Sequence, residues 1–164
     1  MCVVSRPMHE TSPTIDHRLA ELGLVLPGPY PPHDPLVAVV VHDGVARTSG
    51  QLPRDHDGTI TTGVLGDTLD VDAGVEAARW CALNALSVLR AELGSLDRIE
   101  RLLSVTGYVA SAPGFAAQPA VVDGASRLLV DVLGDAGRHT RSAIGVAALP
   151  RGGAVEIEVV AAVR

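Results

Sequence analysis

The 164-residue sequence predicts an α+β fold in which a mixed β-sheet carries two helices on one face. Short β-rich apolar runs lie near both ends and in the middle of the chain, and two long stretches between them repeat apolar residues at helical spacing. A hydrophobic content of 47% is enough for a packed core. We therefore expect one domain over residues 12–164, preceded by a flexible tail at 1–11.

A short helix is expected at 13–22, followed by an irregular connector. Ser12 and Pro13 suit an N-cap and a first helical turn, and Gly23 suits the helix end. The connector LVLPGPYPPHDP contains five prolines in twelve residues. So many prolines exclude both a helix and an interior strand.

A β-hairpin is expected next. Residues 36–41 and 45–50 are β-rich runs on either side of an Asp43-Gly44 turn signal. A weaker third strand is expected near 59–64.

Two amphipathic helices should cover the sheet. The first spans 72–93, with Asp70 or Asp72 able to cap it. The second spans 117–133 and stops at Gly134.

The remaining β-rich runs complete the predicted sheet. One lies at 102–110, between the helices, and the runs at 141–149 and 154–163 flank Pro-Arg-Gly-Gly as a predicted second hairpin. The predicted order is thus βββ-α-β-α-ββ after the N-terminal helix. Because two helices cover one face only and the strands are apolar, we expect another copy of the chain to bury the other face.

Composition excludes several classes of function. The net charge of −6 and the absence of a basic cluster argue against a nucleic-acid partner. All 13 basic residues are arginine, so no lysine can form a Schiff base. There is no apolar run of membrane-spanning length and no secretory signal pattern, so we expect a soluble cytoplasmic protein. Cys2 and Cys81 are not expected to form a disulfide, and Cys81 should lie in the core.

Arg141 poses the main functional question, because it begins a short apolar run that is typical of a buried strand. A guanidinium is almost never buried without a partner. One possibility is a structural ion pair with Glu156 or Glu158. The other is a carboxylate ligand, which a guanidinium can bind through two parallel hydrogen bonds.

The sequence resembles the Rid family, also called YjgF or L-PSP proteins, in three segments. They are SGQLP at 49–53, the stretch AARWCALNALSVLRAELGSLDRIERLLSVTGYVAS at 77–111, and the closing GRHTRSAIGVAALPRGGAVEIEVVAAV at 137–163. The chain is most similar to the chorismate-mutase-like branch, which has an insertion like APGFAAQP before its second helix. The resemblance extends from about residue 14 to residue 164.

This resemblance implies the chorismate-mutase-like fold and a homotrimer with clefts between subunits. Well-characterised members hydrolyse small enamines and imines, such as 2-aminoacrylate, to 2-oxo acids and ammonia. It also implies that Arg141 binds the substrate carboxylate and that Glu156 helps to hold water. A carboxylate in such a cleft could position or deprotonate a water that attacks the imine carbon. We expect no metal and no organic cofactor.

The substrate-binding residues are expected to be Leu36, Ser49, Gly50, Phe115, Asp123 and Ala143. Several positions depart from the pattern of the family. Leu36 stands where many members carry a substrate-stacking tyrosine, while Tyr30 lies six residues too early. Ala143 replaces a cysteine, Gly145 replaces a glutamate, and Asp123 replaces an asparagine of the pocket. Unless it is paired or protonated, Asp123 would repel a carboxylate substrate.

Three alternatives to enamine/imine hydrolysis remain open. The departures favour a non-catalytic trimer that binds a small metabolite, or an enzyme of specialised metabolism that handles a particular imine. Endoribonuclease activity is disfavoured by the acidic charge and by the scarcity of aromatic residues. The sequence Asp55-His56-Asp57 is expected to be a polar turn and not a metal site.

Overall fold

The computed structural model describes residues 13–164, which form one five-stranded mixed sheet with helices on one side. The elements, in chain order, are α1 (Ile15–Glu21), β1 (Val39–His42), β2 (Val45–Thr48), α2 (Val71–Leu93), β3 (Ile99–Ala110), α3 (Gln118–Leu133), β4 (Thr140–Val146) and β5 (Val155–Val163). The predicted α+β class and mixed sheet are confirmed. The predicted tail at 1–11 and the cap at Ser12 lie outside the described residues.

The prediction of a second hairpin at the end of the chain is wrong. The strand order is β1-β2-β5-β3-β4, with β4 parallel to β3 and β5 antiparallel to both β2 and β3. Helix α3 connects β3 to β4, and a crossover of this kind returns the chain in the parallel direction. The segment at 147–154 then carries the chain from the sheet edge to its middle, so its turn residues do not reverse β4 onto β5.

The first hairpin is confirmed. His42 pairs with Val45, so the loop consists of Asp43 and Gly44 alone. Their φ angles of 47° and 73° are the positive values that a two-residue hairpin turn of the primed type requires. The first strand is shorter than predicted and begins at Val39.

The weak third strand predicted near 59–64 does not form as a strand. Within the described chain this stretch makes two isolated bridges, Ile60 with Arg54 and Thr62 with Gly153. The two bridges have partners in different loops, so no continuous ladder of hydrogen bonds develops.

The long helices agree closely with the predictions. The Asp70 side chain accepts a hydrogen bond from the Ala73 N–H at 2.8 Å and caps α2, and Gly94 ends that helix with a φ of 79°. Helix α3 ends at Gly134, as predicted. Helix α1 is shorter than the predicted 13–22, because its cap is Thr14.

The core lies between the sheet and the two long helices. The Cys81 side chain is completely buried, and its thiol lies 3.4 Å from the Val155 carbonyl, to which it donates. This confirms Cys81 as a core residue, and burial raises the pKa of its thiol well above the usual value. The helices approach closely at Gly124, where a Cβ would lie 3.0 Å from the carbonyl carbon of Val75.

The opposite face of the sheet has no helix over it in residues 13–164. Apolar side chains on this face are exposed, with Val40 at 54% and Ile144 at 43%. Val160 lies between them on β5, in register with Arg47 and Ser104. That a second copy covers this face stays a prediction. The exposed apolar side chains support it, because such a surface is typical of a contact between proteins.

Candidate functional site

The loop that follows β2 forms one wall of the site. The N–H and C=O of Gln51 form hydrogen bonds of 2.9 and 3.0 Å with Ile157 on β5. The Ser49 N–H donates to the Ala38 carbonyl at 2.8 Å, and the Ser49 hydroxyl donates to the Val37 carbonyl at 2.7 Å. These bonds hold the loop against both β5 and the residues just before β1.

Gly50 gives the Glu156 side chain the space it occupies. A Cβ built on Gly50 would lie 2.6 Å from the carboxyl carbon of Glu156, closer than real Cβ contacts come. The carboxylate therefore lies directly over the Gly50 backbone. Two of the expected site residues, Gly50 and Glu156, are therefore in contact.

A cavity of about 460 Å³ opens beside this contact. Four of the expected site residues line it: Leu36, Ser49, Gly50 and Glu156. Further lining side chains are Tyr30, Arg54, Arg151 and Glu158. The cavity is within the size range of ligand pockets, about 300–1,000 Å³.

The connector brings Tyr30 into the cavity although it lies six residues before Leu36. The guanidinium carbon of Arg54 lies 3.8 Å from the centroid of the Tyr30 ring, within cation–π range. On the other loop, an Nη2 of Arg151 donates to the Tyr30 hydroxyl at 3.2 Å. Tyr30 therefore lines the same cavity as Leu36, although the two residues are six positions apart in the sequence.

The Glu156 carboxyl lies in a partly buried environment beside a second carboxylate. It is half-buried, and its pKa is raised from the ordinary 4.5, mainly by burial and further by the neighbouring Glu158 carboxylate. Among the described residues no Arg or His nitrogen lies within 4.0 Å of it. Glu158 accepts a hydrogen bond from the Tyr108 hydroxyl at 3.4 Å. Burial, together with Glu158, raises the pKa of Tyr108.

Arg141 has a partner within its own chain, and it is neither Glu156 nor Glu158. Its Nη1 donates to Asp123 Oδ1 at 2.7 Å and to the Ser126 hydroxyl at 3.2 Å. Arg141 is paired in register with Val105 of β3, whose buried side chain faces the helices. The Arg141 side chain therefore also points to the helix-covered face of the sheet. The possible pairing with Glu156 or Glu158 is therefore corrected, because those carboxylates lie on the opposite face.

A chain of hydrogen bonds continues from Arg141 into the turn before β4. The Ser126 hydroxyl lies 3.0 Å from Nε2 of His139, and Nδ1 of that ring contacts the Gly137 carbonyl. Since a carbonyl can only accept, Nδ1 is the donor in its contact with Gly137. His139 therefore helps to hold Ser126 against Arg141.

The remaining expected residues lie apart from the cavity. Ala143 is on β4, in register with Gly107, and packs against the core. Phe115 lies in the turn before α3 and covers Gly66, where a Cβ would be 2.8 Å from its ring. Within a single chain, Arg141, Asp123, Ala143 and Phe115 are thus separate from the group around Glu156.

Arg54 and Arg151 were missed as site residues by the sequence analysis. Each stands next to a proline in a polar loop, Arg54 after Pro53 and Arg151 after Pro150. That local pattern indicates only a turn. Their shared contact with Tyr30 depends on three loops that meet in space and leaves no signal in the sequence.

The Asp55-His56-Asp57 stretch is a polar turn, as predicted. Oδ1 of Asp55 accepts hydrogen bonds from the N–H groups of Asp57 and Thr59 at 3.0 and 2.8 Å. The His56 ring packs edge-on against Trp80, 5.0 Å between centroids. Residues 13–164 contain no group of three or more His, Cys, Asp or Glu side chains that could hold a metal ion. Nor does any helix of this part of the chain have the length and apolar character needed to cross a membrane.

The fold and the loop-over-strand site define a class of protein. The chain belongs to the family described as "YjgF/chorismate_mutase-like, putative endoribonuclease", which it matches over residues 17–161. This confirms the resemblance and the chorismate-mutase-like fold.

The chain is also similar to three known proteins. "Protein TCP17" of Trypanosoma cruzi is 43% identical over 141 residues, which are 85% of this chain and 88% of that protein. The crystal structure of Atu1372 from Agrobacterium tumefaciens is 39% identical, with a TM-score of 0.85 over 92% of this chain and 94% of that one. E. coli TdcF, solved with bound serine, is 26% identical, with a TM-score of 0.59 over 84% of this chain and 92% of that one.

Proposed function

We propose that this protein hydrolyses small 2-enamino and 2-imino acids to 2-oxo acids and ammonia. The observation that carries the proposal is Glu156, a half-buried carboxyl with a raised pKa that stands over Gly50 in a cavity. A carboxyl group with a raised pKa suits proton transfer near neutral pH. The serine bound to TdcF, which is an amino acid, is consistent with a ligand of this size and chemistry.

The reaction needs one water molecule and two proton movements. Glu156 accepts a proton from the water as the water oxygen adds to the imine carbon, and it passes this proton to the nitrogen, which gives a carbinolamine with an OH and an NH2 group on one carbon. The same carboxylate then takes the hydroxyl proton and passes it to the nitrogen, the C–N bond breaks, and ammonia leaves behind a C=O bond. An enamine first becomes an imine by gaining a proton on carbon and losing one from nitrogen. No nucleophilic thiol takes part, so Ala143 in place of a cysteine is compatible with this chemistry.

The substrate carboxylate would be bound by Arg141 of an adjacent copy of the chain. Within one chain, Arg141 and Glu156 face opposite sides of the sheet, so a site that uses both requires two copies. Asp123 occupies Nη1 of the guanidinium, and an arginine has five donors in all. The Asp123 charge is therefore neutralised, which removes the repulsion expected from an unpaired aspartate. We propose a homotrimer with the site in each cleft.

The test is the release of 2-oxo acid from freshly generated 2-aminoacrylate and 2-iminobutyrate. The wild-type protein should accelerate it, whereas Glu156→Gln and Arg141→Ala should each lower kcat/KM by about 100-fold or more. Glu92→Gln, on the exposed surface of α2, is the matched control and should leave the rate unchanged. The proposal is wrong if Arg141→Ala hydrolyses imines at the wild-type rate while its mass in solution is unchanged.

A second candidate is a non-catalytic metabolite-binding protein. The 2.7 Å contact of Arg141 with Asp123 favours it, because a guanidinium already paired offers less charge to a substrate. Calorimetric titration would then find tight binding of a 2-oxo acid with no turnover of either imine. An altered cleft that handles one particular imine would instead show turnover with that compound alone.

Endoribonuclease activity, which the family description names, is the weakest candidate. The net charge of −6 opposes binding of an RNA backbone. Failure to bind or cleave RNA even at low salt would exclude it.

A further inference from the structure

The cavity holds two arginines that the proposed reaction does not use. The guanidinium carbon of Arg54 lies 3.8 Å from the centroid of the Tyr30 ring, and that of Arg151 lies 5.6 Å from it. Arg151 also donates to the Tyr30 hydroxyl at 3.2 Å. Two positively charged side chains therefore contact one aromatic ring at the cavity wall.

Neither charge is neutralised within the described chain. Across residues 13–164, no carboxylate oxygen lies within 4.0 Å of Arg54 or Arg151, although Glu156 and Glu158 line the same cavity. Two guanidinium groups on one ring repel each other unless an anion lies between them. The cavity is thus lined by two cationic side chains, Arg54 and Arg151, and by two carboxylates, Glu156 and Glu158.

The backbone at Arg151 supports a binding role. Its φ of 57° is in the left-handed region, which costs a non-glycine residue roughly 1 kcal/mol or more. The next residue, Gly152, also has a positive φ, 72°, which costs a glycine little. The residue in this conformation is thus also the one whose side chain donates to the Tyr30 hydroxyl.

We propose that Arg54 and Arg151 bind a second carboxylate of the substrate, and that the physiological substrate is therefore a dicarboxylic imino or enamino acid. This inference rests on the proposed function and names its substrate class. The guanidinium fork matches a carboxylate in shape and charge. Glu156 and Glu158 face the imine nitrogen, whose protonated form is cationic. The first carboxylate remains with Arg141 of the adjacent copy.

The cavity volume agrees with a substrate of this size. A volume of about 460 Å³ exceeds what 2-aminoacrylate needs and leaves room for a longer chain with a charged end. Arg54 is half-buried, so its hydrogen bond to a carboxylate is only partly screened by water, whereas Arg151 is exposed. We expect Arg54 to contribute more to affinity than Arg151.

The test compares three non-reacting probes by calorimetric titration. They are 2-oxoglutarate, its distal methyl ester, which has the same chain length without the second charge, and 2-oxobutyrate. The wild type should bind 2-oxoglutarate about tenfold or more tightly than the other two. Arg54→Gln should reduce this difference and the double variant with Arg151→Gln should abolish it, because the affinity for 2-oxoglutarate falls more than the affinity for the ester. Arg79→Gln, paired with Glu76 on the surface of α2, is the matched control.

Thermal unfolding of a separate portion of each protein first shows that the variants are folded. Hydrolysis of 2-iminobutyrate and 2-iminoglutarate is then measured with the same preparations that were titrated. Equal affinity for 2-oxoglutarate and its ester, or a difference that survives in the double variant, overturns the dicarboxylate inference even where imines are hydrolysed. Arg54-dependent binding of 2-oxoglutarate without hydrolysis of either imine overturns the proposed function and leaves the dicarboxylate site standing.

Discussion

At the scale of the residue, Gly50 determines where the Glu156 carboxylate can stand. Gly50→Ala places a Cβ 2.6 Å from the Glu156 carboxyl carbon, so the side chain must move. Since a displacement of about 1 Å at a catalytic group can cost about 100-fold in rate, we expect a loss of this order in kcat/KM for imine hydrolysis. Gly28→Ala is the control, because a Cβ there meets nothing within 4 Å. A fully active Gly50→Ala protein would show that Glu156 is not positioned by this contact.

The raised pKa of Glu156 predicts a pH-dependent stability. As the pH rises above about 4.5, the unfolded chain releases the proton of Glu156 before the folded protein does. The wild type should therefore lose stability relative to Glu156→Gln as the pH rises from 4.5 through the folded pKa, and the two should differ least below this window. Urea unfolding at pH 4 and pH 7 measures the change. If the free energies of unfolding of the wild type and Glu156→Gln differ by the same amount at pH 4 and at pH 7, the raised pKa of Glu156 is contradicted.

At the scale of the element, the approach of α2 and α3 depends on the absence of a side chain at Gly124. A Cβ there would lie 3.0 Å from the Val75 carbonyl carbon, in the backbone of α2. We expect Gly124→Ala to destabilise the fold by about 1–3 kcal/mol, because the helices must separate. The loss should appear although alanine favours a helix by about 1 kcal/mol over glycine. The control is Ala120→Gly, at an exposed position of α3, which measures the difference in helix propensity between alanine and glycine without a packing change. A Gly124→Ala protein that is more stable than the wild type would contradict the close contact.

At the scale of the whole molecule, the sheet face that no helix of residues 13–164 covers predicts that copies of the chain associate. Val160 lies on this face in register with Arg47, so Val160→Arg adds a second positive charge beside an existing one. We expect the wild type to be a trimer by light scattering and Val160→Arg to be a monomer, because the charges cannot be buried together. Val25→Glu, at a site 67% exposed on the connector, should leave the trimer intact. A monomeric wild type at micromolar concentration would refute the cleft site.

The sequence by itself determined the features that depend on residues close together in the chain. Helix α2 could be predicted from its apolar spacing and the Asp70 cap, and the first hairpin from Asp43-Gly44, because these signals act over a few residues. The family was visible in the motifs, and both Gly50 and Glu156 were among the residues that the sequence analysis expected in the site.

Tertiary structure alone decided which distant segments meet. Strand β5 lies beside β2 and β3 and not beside β4, because α3 returns the chain parallel to β3. Arg141 pairs with Asp123 and with neither Glu156 nor Glu158, because the alternation of a strand places those two carboxylates on the other face. Tyr30 enters the cavity because Arg54 and Arg151 hold it from two loops. These contacts join residues far apart in sequence, and their energies depend on burial and geometry that no local pattern encodes.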